Sequence, residues 1–115
     1  MHNHNQDQAF MQRIAAIDGP LMHSVIITFH DTTSEPAIQS VISKLRSLER
    51  LEGVVHFTIQ ESLDQRKGQI WIEVAEFESG PTFLRWRDHP SHIACTDELK
   101  HIADWHTADY AKAED

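Results

Sequence analysis

The chain has 115 residues, which is enough for one domain with a single hydrophobic core. Acidic residues outnumber basic residues by 18 to 10, for a formal net charge of -8. A charge of this sign disfavours nucleic acid and anionic membrane surfaces as partners. No apolar run approaches the ~18 residues of a membrane-spanning helix, and the single cysteine, Cys95, excludes an internal disulfide. We therefore expect a globular protein in a reducing, cytoplasmic setting.

The first 20 residues predict an extension in front of the main domain, which we expect to cover residues 21–115. Met1–Gln8 is polar and is expected to be disordered. Apolar residues spaced four and three apart between Phe10 and Ile17 predict a short amphipathic helix that ends at Gly19. We expect this helix to be an appendage of the domain and not a part of its core.

The next two segments predict a strand and a helix. In "LMHSVIITFH", alternate residues from Leu21 to Phe29 share one face, and His23 is the only polar residue among them. After the strand, Ser34 suits the N-cap of a helix and Pro36 suits its first turn. This helix has the apolar stripe of a helix packed on a sheet, formed by Ile38, Val41, Ile42, Leu45 and Leu48.

Two further strands, "VVHFTIQESL" and "GQIWIEVAEF", are joined by the charged loop "DQRKG", which suits an antiparallel hairpin. Both faces of the second strand are largely apolar. Such a sheet needs helices on one side and a second cover on the other, and another copy of the same sheet is a candidate. The two faces carry Ile70, Ile72 and Val74 on one side and Trp71, Glu73, Ala75 and Phe77 on the other.

The segment "SGPTFLRWRDHPSHIACTDELKHIAD" has a helical pattern that contains Pro90, which a helix interior does not tolerate. It predicts two short helices, with the break near Asp88 or His89 and Pro90 in the first turn of the second helix. The segment "WHTADY" predicts a final strand. The order βαββαβ predicts an α+β, ferredoxin-like fold, with an antiparallel four-stranded sheet covered by helices on one face.

Four short segments carry a resemblance to a known family. They are "MHSVIITF" in the first strand, "FES" at Phe77–Ser79, "HPSH" at His89–His92 and "ADY" ending at Tyr110. In order and spacing they resemble the stress-responsive α/β-barrel domain, or dimeric α/β barrel (Dabb), over about Leu21–Tyr110. The resemblance implies a homodimer in which two ferredoxin-like subunits stack sheet against sheet.

The resemblance also implies a cleft between sheet and helices that contains two histidines. In a plant member that closes a polyketide ring, the residue matching His92 is the acid–base histidine, and the residue matching His23 lines the pocket. A histidine near a helix start also has a lowered pKa, because of the helix dipole, which favours its neutral form. Each histidine has a structural alternative: His23 as a satisfied core residue, and His92 as a partner of backbone groups at the break.

Further residues are expected to line this cleft. Trp86 replaces a tyrosine of that plant member, and its indole supplies a stacking wall and an N–H donor but cannot take or give a proton at neutral pH. Glu73 would pair with a histidine if its face of the strand points at the helices, or else lie at a wet edge or a dimer interface. The other expected lining residues are apolar, namely Val25, Ile27, Val41, Ile42 and Trp71.

A metal site is a weaker alternative. His89, His92 and Cys95 are three residues apart, as ligands on one helix face would be, but the proline between the two histidines disrupts that helix. We expect no metal and no cofactor, either there or at His2 and His4.

The expected function is the binding of a small apolar or aromatic molecule, with cofactor-free acid–base chemistry of the polyketide-cyclase type. Two alternatives are a non-enzymatic stress or assembly protein and, by fold analogy, a cofactor-free monooxygenase-like activity. An open pocket that touches His23 and His92 would favour ligand chemistry. A cleft filled by Trp86, Phe83 and Leu99 would favour the structural role.

Overall fold

A computed structural model describes residues 4–113, with side chains from residue 6 onward. After a first helix, the elements follow the predicted order and form one antiparallel sheet in the strand order β2-β3-β1-β4. This confirms the α+β, ferredoxin-like prediction. The elements are α1 (His4–Ala15), β1 (Leu21–Phe29), α2 (Glu35–Ser47), β2 (Val54–Glu61), β3 (Ile70–Phe77), α3 (Gly80–Arg87), α4 (Pro90–Leu99) and β4 (Ala103–Ala111).

The core lies between the helices and one face of the sheet. Alternate residues of β1 from Leu21 to Phe29 are buried, as the period of two predicts. On β3, the neighbouring strand, Glu73 lies opposite Val25 and points to the same helix-covered side. The apolar stripe of α2 covers this face, and all five of its predicted members are buried.

The helix boundaries follow the local signals in the sequence. The Ser34 hydroxyl accepts a hydrogen bond from the Ala37 backbone N–H at 3.3 Å and caps α2. The predicted break lies between α3 and α4, with His89 as the N-cap of α4 and Pro90 in its first turn. Proline is tolerated there because the first helical N–H groups have no intrahelical partner.

The first helix differs from both expectations for the extension. It starts at His4 and not near residue 9, so residues 4–8 are helical, with Asp7 suiting the positive end of the helix dipole. Residues 1–3 lie outside the described residues. The helix is also no appendage: Ile14 is buried in the core, and the Gly80 N–H donates to the Ile17 carbonyl at 2.8 Å. The first turn of α3 is therefore bonded directly to the end of the extension.

The final strand is longer than predicted, because β4 pairs with β1 along its whole length, from Leu21 opposite Ala111 to Phe29 opposite Ala103. The face of the sheet away from the helices is partly apolar and uncovered. Ile26 and Ile72 are paired across β1 and β3 on this face, and they are 50% and 37% exposed. Within residues 4–113, no helix is both long and apolar enough to cross a membrane.

Candidate functional site

A cavity of about 820 Å³ lies between the sheet and helices α3 and α4. Its size falls in the range of small-molecule sites, which is about 300–1,000 Å³. His23, Glu73 and His92 all line this cavity, so the structure brings together the three polar residues expected in the cleft. Much of the remaining wall is apolar and includes Phe10, Val25, Ile27, Phe83, Leu99 and Trp105.

His23 lies between two carboxylates at the floor of the cavity. Its Nδ1 is 2.5 Å from an oxygen of Asp109, and its Nε2 is 3.3 Å from an oxygen of Glu73. The sheet order explains this arrangement, because β1 is flanked by β3 and β4 and each neighbour contributes one carboxylate on the helix side. All three side chains are buried.

The two carboxylates set the charge of His23. Burial is the largest single influence and lowers its pKa, but hydrogen bonds and charges of Asp109 and Glu73 together outweigh it and raise the pKa to about 9. His23 is therefore a cation at neutral pH, with both ring nitrogens engaged. It holds the two carboxylates in place and is not free to act as a base.

His92 has the opposite character. It is half-buried in the first turn of α4, with its ring 4.5 Å from the ring of Trp86. Burial is the largest cause that lowers its pKa, and the positive charges of His23 and Arg87 act in the same direction. Glu73 opposes them, as does a hydrogen bond with the Arg87 carbonyl. The expected direction is therefore found, but its main cause is burial and not the helix dipole.

The break between α3 and α4 orients the His92 ring. In a continuous helix the Ser91 N–H would bond the Arg87 carbonyl, but here it donates to the His89 Nδ1 at 3.0 Å. The Arg87 carbonyl can then accept a hydrogen bond from the His92 ring. A neutral imidazole that donates through one nitrogen keeps the lone pair of the other. His92 thus has the form of a general base at the cavity wall.

Four expected lining residues lie behind the wall and do not line the cavity. Trp86 is 2% exposed; its indole N–H donates to the Leu48 carbonyl at 3.1 Å, and its ring packs between those of His23 and His92. The other three also pack in the core. They are Val41 and Ile42, which are fully buried members of α2, and Trp71, whose indole N–H bonds the Gln69 side chain.

Sequence reasoning missed Asp109 and Phe10 as site residues. The quoted "ADY" contained Asp109, and the ferredoxin-like order places β4 beside β1. Together with the period of two, this would have pointed Asp109 at the helix side, beside His23. Phe10 gave no such signal, because nothing in its local pattern shows where the extension packs.

The residues weighed as metal ligands do not converge. Among the described side chains, no group of three or more His, Cys, Asp or Glu residues could hold a metal ion. His89 is exposed and caps α4, while Cys95 is buried, which raises the pKa of its thiol. His2 lies outside the described residues, as does the side chain of His4. The expectation of no metal and no cofactor stays a prediction.

Solved structures of low sequence identity share this fold. A dimeric ferredoxin-like protein of unknown function from Thermobifida fusca is 19% identical, with a TM-score of 0.72 over 81% of this chain and 91% of that chain. A hydroxynitrile lyase from Passiflora edulis is 16% identical, with a TM-score of 0.74 over 85% and 97%. SnoaB, a cofactor-independent oxygenase from Streptomyces nogalater, is 13% identical, with a TM-score of 0.68 over 84% and 96%.

Because the sequence identities in these pairs are low, the structural similarity shows a shared fold and nothing further. No curated protein matches the sequence significantly. A family model described as the stress responsive A/B barrel domain, Dabb, matches residues 21–112. The matched region contains the whole sheet and three of the four helices. The chain therefore belongs to the Dabb family of stress-responsive A/B barrel domains.

Proposed function

We propose that the cavity binds a small apolar or aromatic molecule and that His92 exchanges a proton with it, without a cofactor. One observation carries this proposal: a neutral histidine and a charged, doubly paired histidine line the same cavity. Pairs of titratable groups whose surroundings push their pKa values apart are typical of acid–base sites.

The chemistry follows from the neighbours of His92. A neutral imidazole can remove a proton from a carbon or hydroxyl group of a ligand, and the negative charge of Glu73 favours the imidazolium that results. The same imidazolium can return the proton to another atom of the ligand. Isomerisation needs these two proton transfers alone. In ring closure, the carbanion left by the first transfer attacks a carbonyl carbon of the same molecule, the C=O π bond opens to an alkoxide, and the alkoxide takes the proton back. His23 would be a positioning residue that fixes Glu73.

The non-enzymatic alternative has less support. Phe83 and Leu99 line the cavity without filling it, and Trp86 lies behind the wall. This is the arrangement expected for ligand chemistry. The SnoaB likeness concerns the fold, and no residue of the cavity specifically favours oxygenation.

We also propose that the chain forms a homodimer, sheet against sheet. The Thermobifida fusca protein with this fold is dimeric. On the uncovered sheet face of this chain, Ile26 and Ile72 form an exposed apolar pair that such an arrangement would bury. The cytoplasmic location stays a prediction from the sequence.

A thermal-shift screen with aromatic acids and polyketide-like compounds tests ligand binding. Compounds that bind should raise the melting temperature of the wild-type protein and should stabilise His92→Ala much less. The matched control is His101→Ala, because His101 is exposed and does not line the cavity. Equal stabilisation of wild type and His92→Ala would exclude His92 from the site, and a screen without any stabilising compound would support the non-enzymatic role.

Proton exchange tests the base. Among the compounds that bind, a ketone with an acidic C–H should exchange that hydrogen for deuterium in D₂O, followed by proton NMR. We expect His92→Gln to slow enzyme-dependent exchange by about 100-fold or more, the usual contribution of a general base. Exchange at the wild-type rate in this variant would assign the proton transfer to another group.

A further inference from the structure

We propose that the ligand of this cavity is an anion, an aromatic carboxylate whose charged group binds Arg87 and whose ring packs against Phe10. This inference rests on the proposed function, since it names the class of molecule that the same cavity takes. It gives roles to Arg87 and Phe10. Phe10 lies outside the region that the family model matches, which is residues 21–112.

Arg87 is a cation in the cavity wall without a carboxylate partner. It is half-buried at the end of α3, and among the described residues it forms no ion pair. The wall residues Glu73 and Asp109 are both engaged by His23, and Lys100 pairs with Asp97 at 3.0 Å.

The remaining wall carboxylate belongs to Asp88, which is exposed at the C-cap of α3 and is not paired with Arg87. Among the cations of the described cavity wall, Arg87 is therefore the one that forms no ion pair with a carboxylate. A ligand carboxylate would supply the missing partner, and a guanidinium binds a carboxylate through two parallel hydrogen bonds.

Phe10 holds the guanidinium in the cavity wall. The Cζ of Arg87 lies 5.5 Å from the centroid of the Phe10 ring, and both residues line the cavity. An arginine over an aromatic face keeps its in-plane N–H groups free to donate. Phe10 also offers apolar surface to the ring of a ligand. Through this residue, α1 contributes to a cavity wall that is otherwise formed mainly by the sheet, α3 and α4.

Arg87 is also close to the proposed base. Its backbone carbonyl bonds the His92 ring, and its charge acts on that ring. A carboxylate held at Arg87 would therefore place the neighbouring atoms of the ligand beside His92. The cavity offers apolar side chains beyond them, including Val25 and Leu99, for the uncharged remainder.

Matched ligands test this inference by isothermal titration calorimetry. The probes are 2-naphthoate and 2-naphthamide, which share the ring and differ in the charge of the handle. We expect the wild-type protein to bind the carboxylate about tenfold more tightly than the amide, as a charge-assisted hydrogen bond allows. Arg87→Gln should lose this preference, because it weakens the carboxylate much more than the amide, while Arg87→Lys should keep part of it.

Arg85→Gln is the control, because Arg85 is an exposed cation on the same helix that does not line the cavity. It should keep the full preference, whereas Phe10→Leu should weaken both probes. An undiminished preference in Arg87→Gln would overturn the inference. Equal binding of both probes by the wild-type protein would overturn it and leave the proposed function standing. Failure of both probes to bind would also overturn it, and the proposed function would fall with it only if the thermal-shift screen yields no ligand either.

Discussion

The imidazole of His23 is buried and positively charged. Its charge helps to stabilise the fold, because it pairs with the carboxylates of Glu73 and Asp109. If the proton leaves, Glu73 and Asp109 keep their positions on the two strands that flank β1, without the cation between them. Removing one partner of a buried ionic group is far more costly than breaking an exposed ion pair. The protonation of one residue should therefore be visible in the stability of the whole chain.

We predict that the free energy of unfolding falls as the pH rises from about 6.5 to about 9. The pKa of His23 rises from 6.5 to about 9 on folding, so the folded state binds the proton more tightly than the unfolded state. The contribution is complete below the unfolded pKa and is lost as the pH passes the folded pKa. A shift of this size corresponds to roughly 3 kcal/mol at most, and urea unfolding at pH 6.5 and pH 9.5 measures it.

His23→Gln should flatten this pH dependence, because glutamine keeps hydrogen-bonding groups without a titrating charge. The exposed His101 supplies the control, and His101→Gln should retain the wild-type slope. A slope that persists in His23→Gln would show that other groups produce it.

At the residue scale, the sequence predicted which side of the strands carries His23 and offered Glu73 as a partner, because the period of two is a local property. The charge of His23 could not be predicted, because it depends on Asp109, 86 residues away in the chain. Trp86 was misplaced for a related reason. Its indole N–H has a partner in the Leu48 carbonyl, and no local pattern shows that contact.

At the scale of the elements, the contact between α1 and α3 depends on Gly80. A Cβ built at this position would lie 1.7 Å from the Ile14 carbonyl oxygen, which is backbone and cannot rotate away. The two helices touch here because one residue has no side chain. Phe10 reaches the cavity from the same helix, so this contact also sets the position of a wall residue.

We predict that Gly80→Ala lowers stability by about 1–3 kcal/mol, the usual cost of overpacking, and weakens ligand binding by displacing α1. The control is Gly19→Ala, since a Cβ at Gly19 meets nothing within 4 Å. Thermal unfolding of both variants measures the difference. Equal melting temperatures for Gly80→Ala and wild type would mean that α1 does not pack on α3 in solution.

Sequence signals located most elements because caps and breakers act locally. Ser34 marked the start of α2, and Pro90 marked the break before α4. The packing of α1 was not predicted, because a glycine at a helix start gives no sign of the backbone that approaches it. The extent of β4 was underestimated for the same kind of reason, since its length is set by its partner β1.

At the scale of the whole molecule, the uncovered sheet face determines the proposed assembly. We predict that Ile26→Glu weakens self-association by at least about 30-fold, because a buried interface anchor contributes ~2 kcal/mol or more. Sedimentation velocity across a concentration series measures this. Leu63→Glu is the control, because Leu63 is fully exposed in the β2–β3 loop and belongs to no strand of this face.

A wild-type protein that sediments as a monomer at all concentrations would overturn the proposed dimer.

The fold itself was predictable as a whole, because the order of strands and helices leaves few topologies that bury every apolar face. The proposed dimer was inferred from a strand with two largely apolar faces. The periodicity of one chain does not specify which contacts a second copy would make.

The His23 cluster joins residues 23, 73 and 109 on three strands, and the strand that carries Asp109 follows the other two in the chain. During translation, an emerging chain can pair β1 with β3, but it cannot surround the imidazole until β4 has left the ribosome. The charge of His23 therefore becomes fully stabilised only once Asp109 on β4 is in place. Nascent chains should bind the proton at this histidine less tightly than the released protein does.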